Sequence, residues 1–543
     1  LGANLEIVIA GGGAAGWLTA CYLQRALGAR AAGEGGAGPV ITVIESPDIG
    51  IIGVGEGTFP TIRATLAKLG VDEARFLRES GATFKQGVRF DDWRRTPQGG
   101  ARSHYFHPFE FPHHIDGDEL LPYWLLGDAG PGVDLAGAVT IQKGVADASL
   151  APKRAYEGGY RGPLNYAYHF DATRFAALLA SVARERGVRH VSDTIDAVKL
   201  DESGAIAGLA TREHGLVSGT LYIDCTGLRA KLIGEALGQP FRSCRNFLLA
   251  DRAVTCQVPY DDAASPIASY TIATAHEAGW TWDIGLHERR GIGYVYSSAH
   301  CDDERAERVL RSHIGAAAAD KSVRVLRFEA GYRERQWVKN CVAVGLSAGF
   351  FEPLESTGLM LIEVAAAMIA DYFPWRAEFA APARLFNELM KHRCAKIVNF
   401  LKMHYCLSER AEPFWQDNRR EAGIPEELRC LLSAWRHRPP CPFDFVSAHE
   451  TFPYCSYQYV LYGMGFRTEL EAARSRYTAS AAARQAFGQL RQIEQQAMGD
   501  LPTHRALIDR IYRDGFAERT AAATGRPARE SPPGTGYSSG ARH

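Results

Sequence analysis

Hydrophobic residues gather in short runs along the first two thirds of this chain and in longer helical stripes along the last third. The run Leu5-Glu6-Ile7-Val8-Ile9-Ala10 predicts a strand, the glycine cluster after it a tight turn, and the stretch to about Leu27 a helix. A second run, Val40-Ile41-Thr42-Val43-Ile44-Glu45, predicts another strand, with a Gly- and Ala-rich surface insertion over residues 29–39 before it. Further strands are predicted at 84–90, 221–226 and 341–345, and helices at 174–186 and 304–319. Strands alternating with helices indicate an α/β fold. Beyond about Pro374 the strand signal stops, and helices are predicted at 382–407, 481–498 and 503–513. The pattern divides the chain into residues 1–374, 375–520 and 521–543. The last stretch is too poor in large apolar groups to offset ordering entropy and is expected to be disordered. Leu1 in place of Met suggests a chain trimmed at its start.

With 543 residues, 46% hydrophobic and 23% charged, the chain can bury more than one substantial core. Its 61 Lys and Arg nearly cancel its 62 Asp and Glu, leaving no basic surplus to hold a phosphate backbone irrespective of sequence. No nucleic-acid partner is expected. No apolar run approaches the roughly 18–20 residues of a membrane-spanning helix, and the start lacks the regions of a signal peptide. No membrane partner is expected, and the cytoplasm is the expected compartment. The 11 cysteines are dispersed without a C-x-x-C pair, so neither a disulfide framework nor a metal site is expected.

Chemistry first shows in the glycine cluster. Gly11-x-Gly13-x-x-Gly16 follows a strand and opens a helix: Gly11 serves the tight turn, Gly13 admits a pyrophosphate to the backbone, and Gly16 allows close helix packing. Glu45, at the end of the next strand, is placed to accept hydrogen bonds from a ribose. The later segments 221–227 and 341–345 are apolar strands running into small polar turns, which selects FAD over NAD. No second G-x-G-x-x-G follows a later strand, so the flavin is expected to be reduced from outside, by a separate flavin reductase, or by a transient visitor.

Five segments carry a family resemblance: residues 11–17 (GGGAAGW), 53–58 (GVGEGT), 82–90 (ATFKQGVRF), 280–285 (WTWDIG) and 353–358 (PLESTG). A sixth runs from Asn399 to Tyr405 and on to Trp415. With these the chain resembles the flavin-dependent tryptophan halogenases. The resemblance implies an α/β fold with a Rossmann-like FAD-binding box domain (GR2, hydroxylase-like) at 1–374 and a mainly helical substrate-binding subdomain at 375–520. It also implies a reaction in which FADH2, O2 and chloride or bromide yield hypohalous acid, which halogenates an indole-type ring. An aromatic hydroxylase and an inactive flavin-binding module stand as alternatives.

The resemblance assigns roles to named residues. Lys85, read from alternation alone, is a solvated strand lysine beside Thr83 and Arg89, with Phe84, Val88 and Phe90 on the other face. By resemblance it holds hypohalous acid or captures its halogen, with Glu355 orienting that species or taking the ring proton. Residues 353–358 read locally as a helix entry with Ser and Thr as caps. By resemblance the backbone of Thr357 and Gly358 cradles the halide. Gly11, Gly13, Ala14, Ala15, Gly16, Glu45, Gly345 and Ser356 fall to the flavin, as do Gly53, Val54, Gly55 and Glu56 of a mobile strap. Trp280 and Trp282 share a strand face and shield the flavin, with Gly285 where the family has Pro. His107, Phe109 and Tyr457 are expected at the aromatic substrate. Gln458 stands where enzymes for free tryptophan have a second tyrosine, which favours a neutral indole over the zwitterion.

Overall fold

The first apolar run becomes the strand Glu6–Ala10, inside a six-stranded sheet ordered Arg189–Ser192, Val40–Glu45, Glu6–Ala10, Leu221–Asp224, Cys341–Ala343, Trp337–Val338. The first five strands run parallel and the sixth antiparallel. This computed structural model describes residues 5–29, 31, 38–50, 53, 55–99, 102–115, 118–447 and 450–516. The tail expected at 521–543, most of the insertion at 29–39 and Val54 lie outside the described residues. A parallel sheet buries both faces, and period-two alternation sends successive side chains to opposite ones. Ile7 and Ile9 join the core under the helices Ala14–Leu27, Ala172–Glu185 and Thr357–Asp371. Val8 and Ala10 face a three-stranded antiparallel sheet, Ile195–Leu200, Ile206–Thr211 and Gly215–Val217.

A second sheet of seven strands is ordered Val323–Arg327, Arg252–Pro259, Arg289–Tyr296, Gly279–Gly285, Thr271–His276, Gly87–Asp91, His104–Pro108. Its pairs are antiparallel except that between Thr271–His276 and Gly87–Asp91. Of these strands, that around Trp280 and most of Gly87–Asp91, within the run expected at 84–90, were legible in sequence.

The unbroken strand expected at 84–90 does not form. Thr83–Lys85 pairs with Ala167–Phe170 in a small sheet, Gly87–Asp91 belongs to the seven-stranded one, and Gln86 is the joint. The Gln86 backbone N–H donates to Ser269 O at 2.7 Å, and its side chain reaches Leu150 O and Ser269 Oγ. Phe84 therefore packs with Tyr166 and Tyr168, while Val88 and Phe90 enter the other core. Lys85 is left at the seam between two sheets.

Beyond Pro374 the described residues form helices and no strand. The 27-residue helix Ala380–Cys406 places Phe386 and Met390 in the core of the parallel sheet, and Ile397, Phe400 and Met403 in that of the antiparallel sheet. Burying each such side chain contributes about 1.5–3 kcal/mol, so this helix ties the two cores together.

Candidate active site

A cavity of about 760 Å³ opens at the C-terminal ends of the parallel strands and runs from the turn at residues 11–15 to Trp280, Trp282 and the segment 352–358. At its first end each glycine has a distinct reason. Gly11 has φ +111°, and a Cβ there would lie 2.2 Å from Cys225 O. A Cβ on Gly16 would lie 1.9 Å from Gly11 O, so the helix Ala14–Leu27 can approach the turn only without one. Gly13 has φ −73° and nothing within 4 Å of its would-be Cβ: protein sterics leave this position free, and the open space belongs to the cavity. Ala14, Ala15 and Glu45 line the same end, with Glu45 Oε2 3.0 Å from His190 Nε2. Gly345 (φ +72°) lies so close to Ala15 that a Cβ would come within 2.8 Å of that residue's own. An open glycine turn at a helix N-terminus, an acid at the next strand end and a long cavity fit the phosphates, ribose and ring system of FAD.

Gly53, Gly55 and Glu56 border the cavity, but the segment is not a free loop throughout. Glu56–Gly57 pairs with Ala167–Phe170, and Thr58 is tied to the backbone of Tyr168 through both its N–H and its hydroxyl. Burial pushes the Glu56 carboxyl up to about 7. Across the cavity, Trp280 and Trp282 have ring centroids 6.4 Å apart. Gly293 makes room for the second, since a Cβ there would lie 2.2 Å from its ring. At Gly285 a Cβ would press on Ile267 at 2.8 Å, so the small residue suits its surroundings.

At the far end the chain takes two consecutive left-handed residues, Glu355 (φ 63°) and Ser356 (φ 57°), before the helix Thr357–Asp371. Such conformations cost about 1–3 kcal/mol each and persist where the surroundings enforce them. Ser356 does not cap the helix through its side chain. Its hydroxyl instead accepts from Lys85 Nζ at 3.0 Å. Gly57 permits this meeting, because a Cβ there would lie 2.6 Å from Ser356 Oγ and 3.0 Å from Lys85 Nζ. Thr357 and Gly358 line the cavity at the helix N-terminus, and open space faces Gly358.

Lys85 is 1% exposed, not the solvated lysine that alternation alone indicates. Burial lowers its amine to about 8, and the Glu355 charge partly opposes the shift. Its strand is held by His504, which accepts the Phe84 N–H at 3.0 Å and bonds Ile267 O through its other nitrogen. Glu355 Oε1 meets His107 Nδ1 at 2.7 Å and His404 Nε2 at 3.1 Å. Burial alone raises a carboxyl, but the two imidazoles outweigh it and hold Glu355 well below the usual carboxylate range. His404 Nδ1 also lies 3.0 Å from the Phe400 carbonyl oxygen.

Away from the cavity, Lys85 Nζ lies 5.4 Å from the Phe109 ring centroid. Phe109 begins a run of rings through Phe59 and Phe452 to Phe400, the last two stacked at 3.7 Å. Tyr457 packs on Phe400 at 4.8 Å, and His107 on the same ring at 5.9 Å. Gln458 is fully buried, its amide donating to Glu119 Oε2 and Pro440 O. Sequence reasoning missed His404, Tyr405 and Gly57, although all three lie in segments, 399–405 and 53–58, that carried the resemblance.

The tryptophan halogenase family model matches residues 6–479. The chain belongs to this family. The tryptophan 6-halogenase of Streptomyces toxytricini is 37% identical over 483 residues, covering 85% of this chain and 89% of that protein. The solved tryptophan halogenase of Shewanella frigidimarina superposes with a TM-score of 0.90 at 41% identity, over 94% of this chain and 98% of its own. A flavin-dependent halogenase from Brevundimonas sp. BAL3 superposes at 0.81 with 32% identity, over 93% and 99%. The fold is that of the flavin-dependent halogenases, and the chain is an enzyme of that kind; an aromatic hydroxylase or an inactive flavin-binding module is not favoured. No described helix is long and apolar enough to cross a membrane.

Proposed function

We propose that this enzyme halogenates an indole-type ring at Lys85, on the side of the Glu355–Ser356 turn away from the flavin cavity. The observation that carries the reading is the contact of the buried Lys85 with Ser356, between that cavity and the aromatic run. FAD, held at Gly11, Gly13, Ala14, Ala15, Gly16, Glu45 and Gly345 and delivered reduced by a separate flavin reductase, supplies with O2 the oxidising equivalent that turns chloride or bromide into hypohalous acid. Thr357 and Gly358 hold the halide with helix N–H groups. Trp280, Trp282 and the strap, with Val54 in it, keep the organic substrate from the flavin. The Lys85 ammonium hydrogen-bonds the hypohalous acid. As the ring carbon takes the halogen, the Lys85 proton leaves with the hydroxyl as water, and the ring proton passes to Glu355 and back to the amine. His107 and His404 occupy Glu355 Oε1, which leaves Oε2 for that proton.

His107, Phe109 and Tyr457, in or beside the helical region 375–520, place the ring. With Gln458 committed to Glu119, no amide is offered there to an amino-acid carboxylate. A zwitterion needs both charges satisfied in a partly dry site. In a competition between equal indole and tryptophan, with FAD, a reductase, NADH and bromide, brominated indole should form first. Tryptophan consumed first at one benzo-ring position would defeat the substrate reading, and a one-oxygen mass gain without bromine would defeat the halogenase reading.

A further inference from the structure

Phe109, whose ring lies 5.4 Å from Lys85 Nζ, is half-buried and stands just past the end of the strand His104–Pro108. A strand end leaves backbone N–H and C=O groups that need partners other than a ladder. Here side-chain amides take them. Gln142, 0% exposed at the start of the helix Gln142–Asp147, accepts the Phe109 N–H at 2.7 Å and the Glu110 N–H at 2.9 Å on its single Oε1. Two donors on that oxygen fix which way the amide points, and its nitrogen donates to Asn165 O at 2.6 Å. Asn165 closes the loop by giving its own amide N–H to Phe109 O at 3.0 Å. Its Oδ1 takes the Arg63 guanidinium, so this amide has one orientation as well. The Phe109 N–H is shared with Gln86 O at 3.2 Å, a longer bond than that to Gln142. Gln86 directly follows Lys85 in the chain, so the lysine and the ring meet across one backbone contact, and Gln142 grips the ring's side of it.

We infer that Gln142 is a positioning residue for halogenation: by clamping the backbone of Phe109 and Glu110 it fixes the Phe109 ring against Lys85, and with it the carbon of the substrate that meets the halogen. The inference rests on Phe109 placing the substrate ring. Gln142 acts at one remove, since its oxygen and its nitrogen are both committed to the backbone. A displacement of about 1 Å at a reacting centre can cost on the order of 10²-fold in rate. Neighbouring carbons of an indole are little farther apart than that, so a loosened Phe109 lets them compete.

The test is the isomer ratio of monobrominated 3-methylindole, whose substituted C3 leaves the other ring carbons to compete. The full chain and the variants Q142L, N165A, F109L and Q142L/F109L are compared with FAD, a flavin reductase, NADH and bromide. The ratio, read by liquid chromatography with mass spectrometry against authentic isomers, does not depend on how much protein is folded. The parent should favour one isomer, and Q142L should lower that preference about tenfold, toward the mixture that free hypobromous acid gives. N165A removes the bond to Phe109 O from a half-buried position; it should shift the ratio in the same direction and carries the test if Q142L does not fold. In the F109L background the ring is gone, and Q142L should change neither the ratio nor kcat/KM further. A parental ratio in Q142L and N165A, a further loss in the double variant, or a parent no more selective than free hypobromous acid would each overturn the inference. No brominated product from the parent would overturn the halogenation reading instead.

Discussion

The two ends of the cavity are built by opposite means. At the glycine turn the backbone does the work: four glycines within six residues let a helix and a strand end crowd together and leave room for a ligand. At the Lys85 end, side chains do it, and they come from the strand Thr83–Lys85, the strand His104–Pro108, the turn at 355–356 and the helix Ala380–Cys406. The first end is a property of local sequence spacing. The second exists only once two sheets and a 27-residue helix are docked, and it holds several ionisable groups out of water. A backbone site tolerates changes that leave its dihedrals and open space intact, whereas a side-chain site fails when one member is removed.

The largest effect should therefore come from the side-chain end. Lys85→Ala is expected to lower halogenation by on the order of 10²–10⁴-fold, the range for removing a positioned proton donor. FAD binding and reoxidation of reduced flavin by O2 should stay near parental, because Lys85 does not line the cavity. Product yield by liquid chromatography with mass spectrometry, set against flavin absorbance in stopped flow, separates the two. Near-parental product would erase the contrast between the ends.

The glycine end should divide stability from binding. Gly16→Ala puts a methyl 1.9 Å from Gly11 O, a backbone atom that cannot swing away, and is expected to cost about 1–3 kcal/mol or more of stability. Gly13→Ala meets no protein atom and needs no unusual dihedral, so its melting temperature should match the parent's. Its FAD affinity should nevertheless drop about tenfold, as a methyl enters space reserved for phosphate. Equal FAD affinity in Gly13→Ala and the parent would refute the phosphate assignment.

These contrasts also account for what the sequence could convey. Gly11, Gly13, Gly16 and Glu45 were legible because their spacing is set within one strand–turn–helix–strand unit, although the close approach that also demands Gly11 comes from Cys225. The strand pattern at 84–90 misled because Phe84, Val88 and Phe90 share one parity across Gln86, the polar residue that breaks the alternation, while its backbone and side chain hand the chain from one sheet to another. His404 and Tyr405 looked like ordinary residues of a helix face. Their roles depend on where that helix lands, which brings one to Glu355 and the other to Glu352.

The smallest expected effect is the most informative about the chemistry at Lys85. Burial has lowered this amine to about 8, so it carries its proton below that pH and loses it above. A lysine that hydrogen-bonds hypohalous acid needs the proton, and at saturating FAD the halogenation rate should fall by a few fold as pH rises from 7 to about 8.5. A lysine that captures the halogen as a haloamine needs the lone pair, and its rate would rise over the same interval. Glu355→Gln tells whether the limb belongs to Lys85: the Glu355 charge raises the amine's value, so removing it should move the midpoint to lower pH within the variant's own reduced rate. A limb that stays in place belongs to another group, and the lysine's proton is then not what the rate senses.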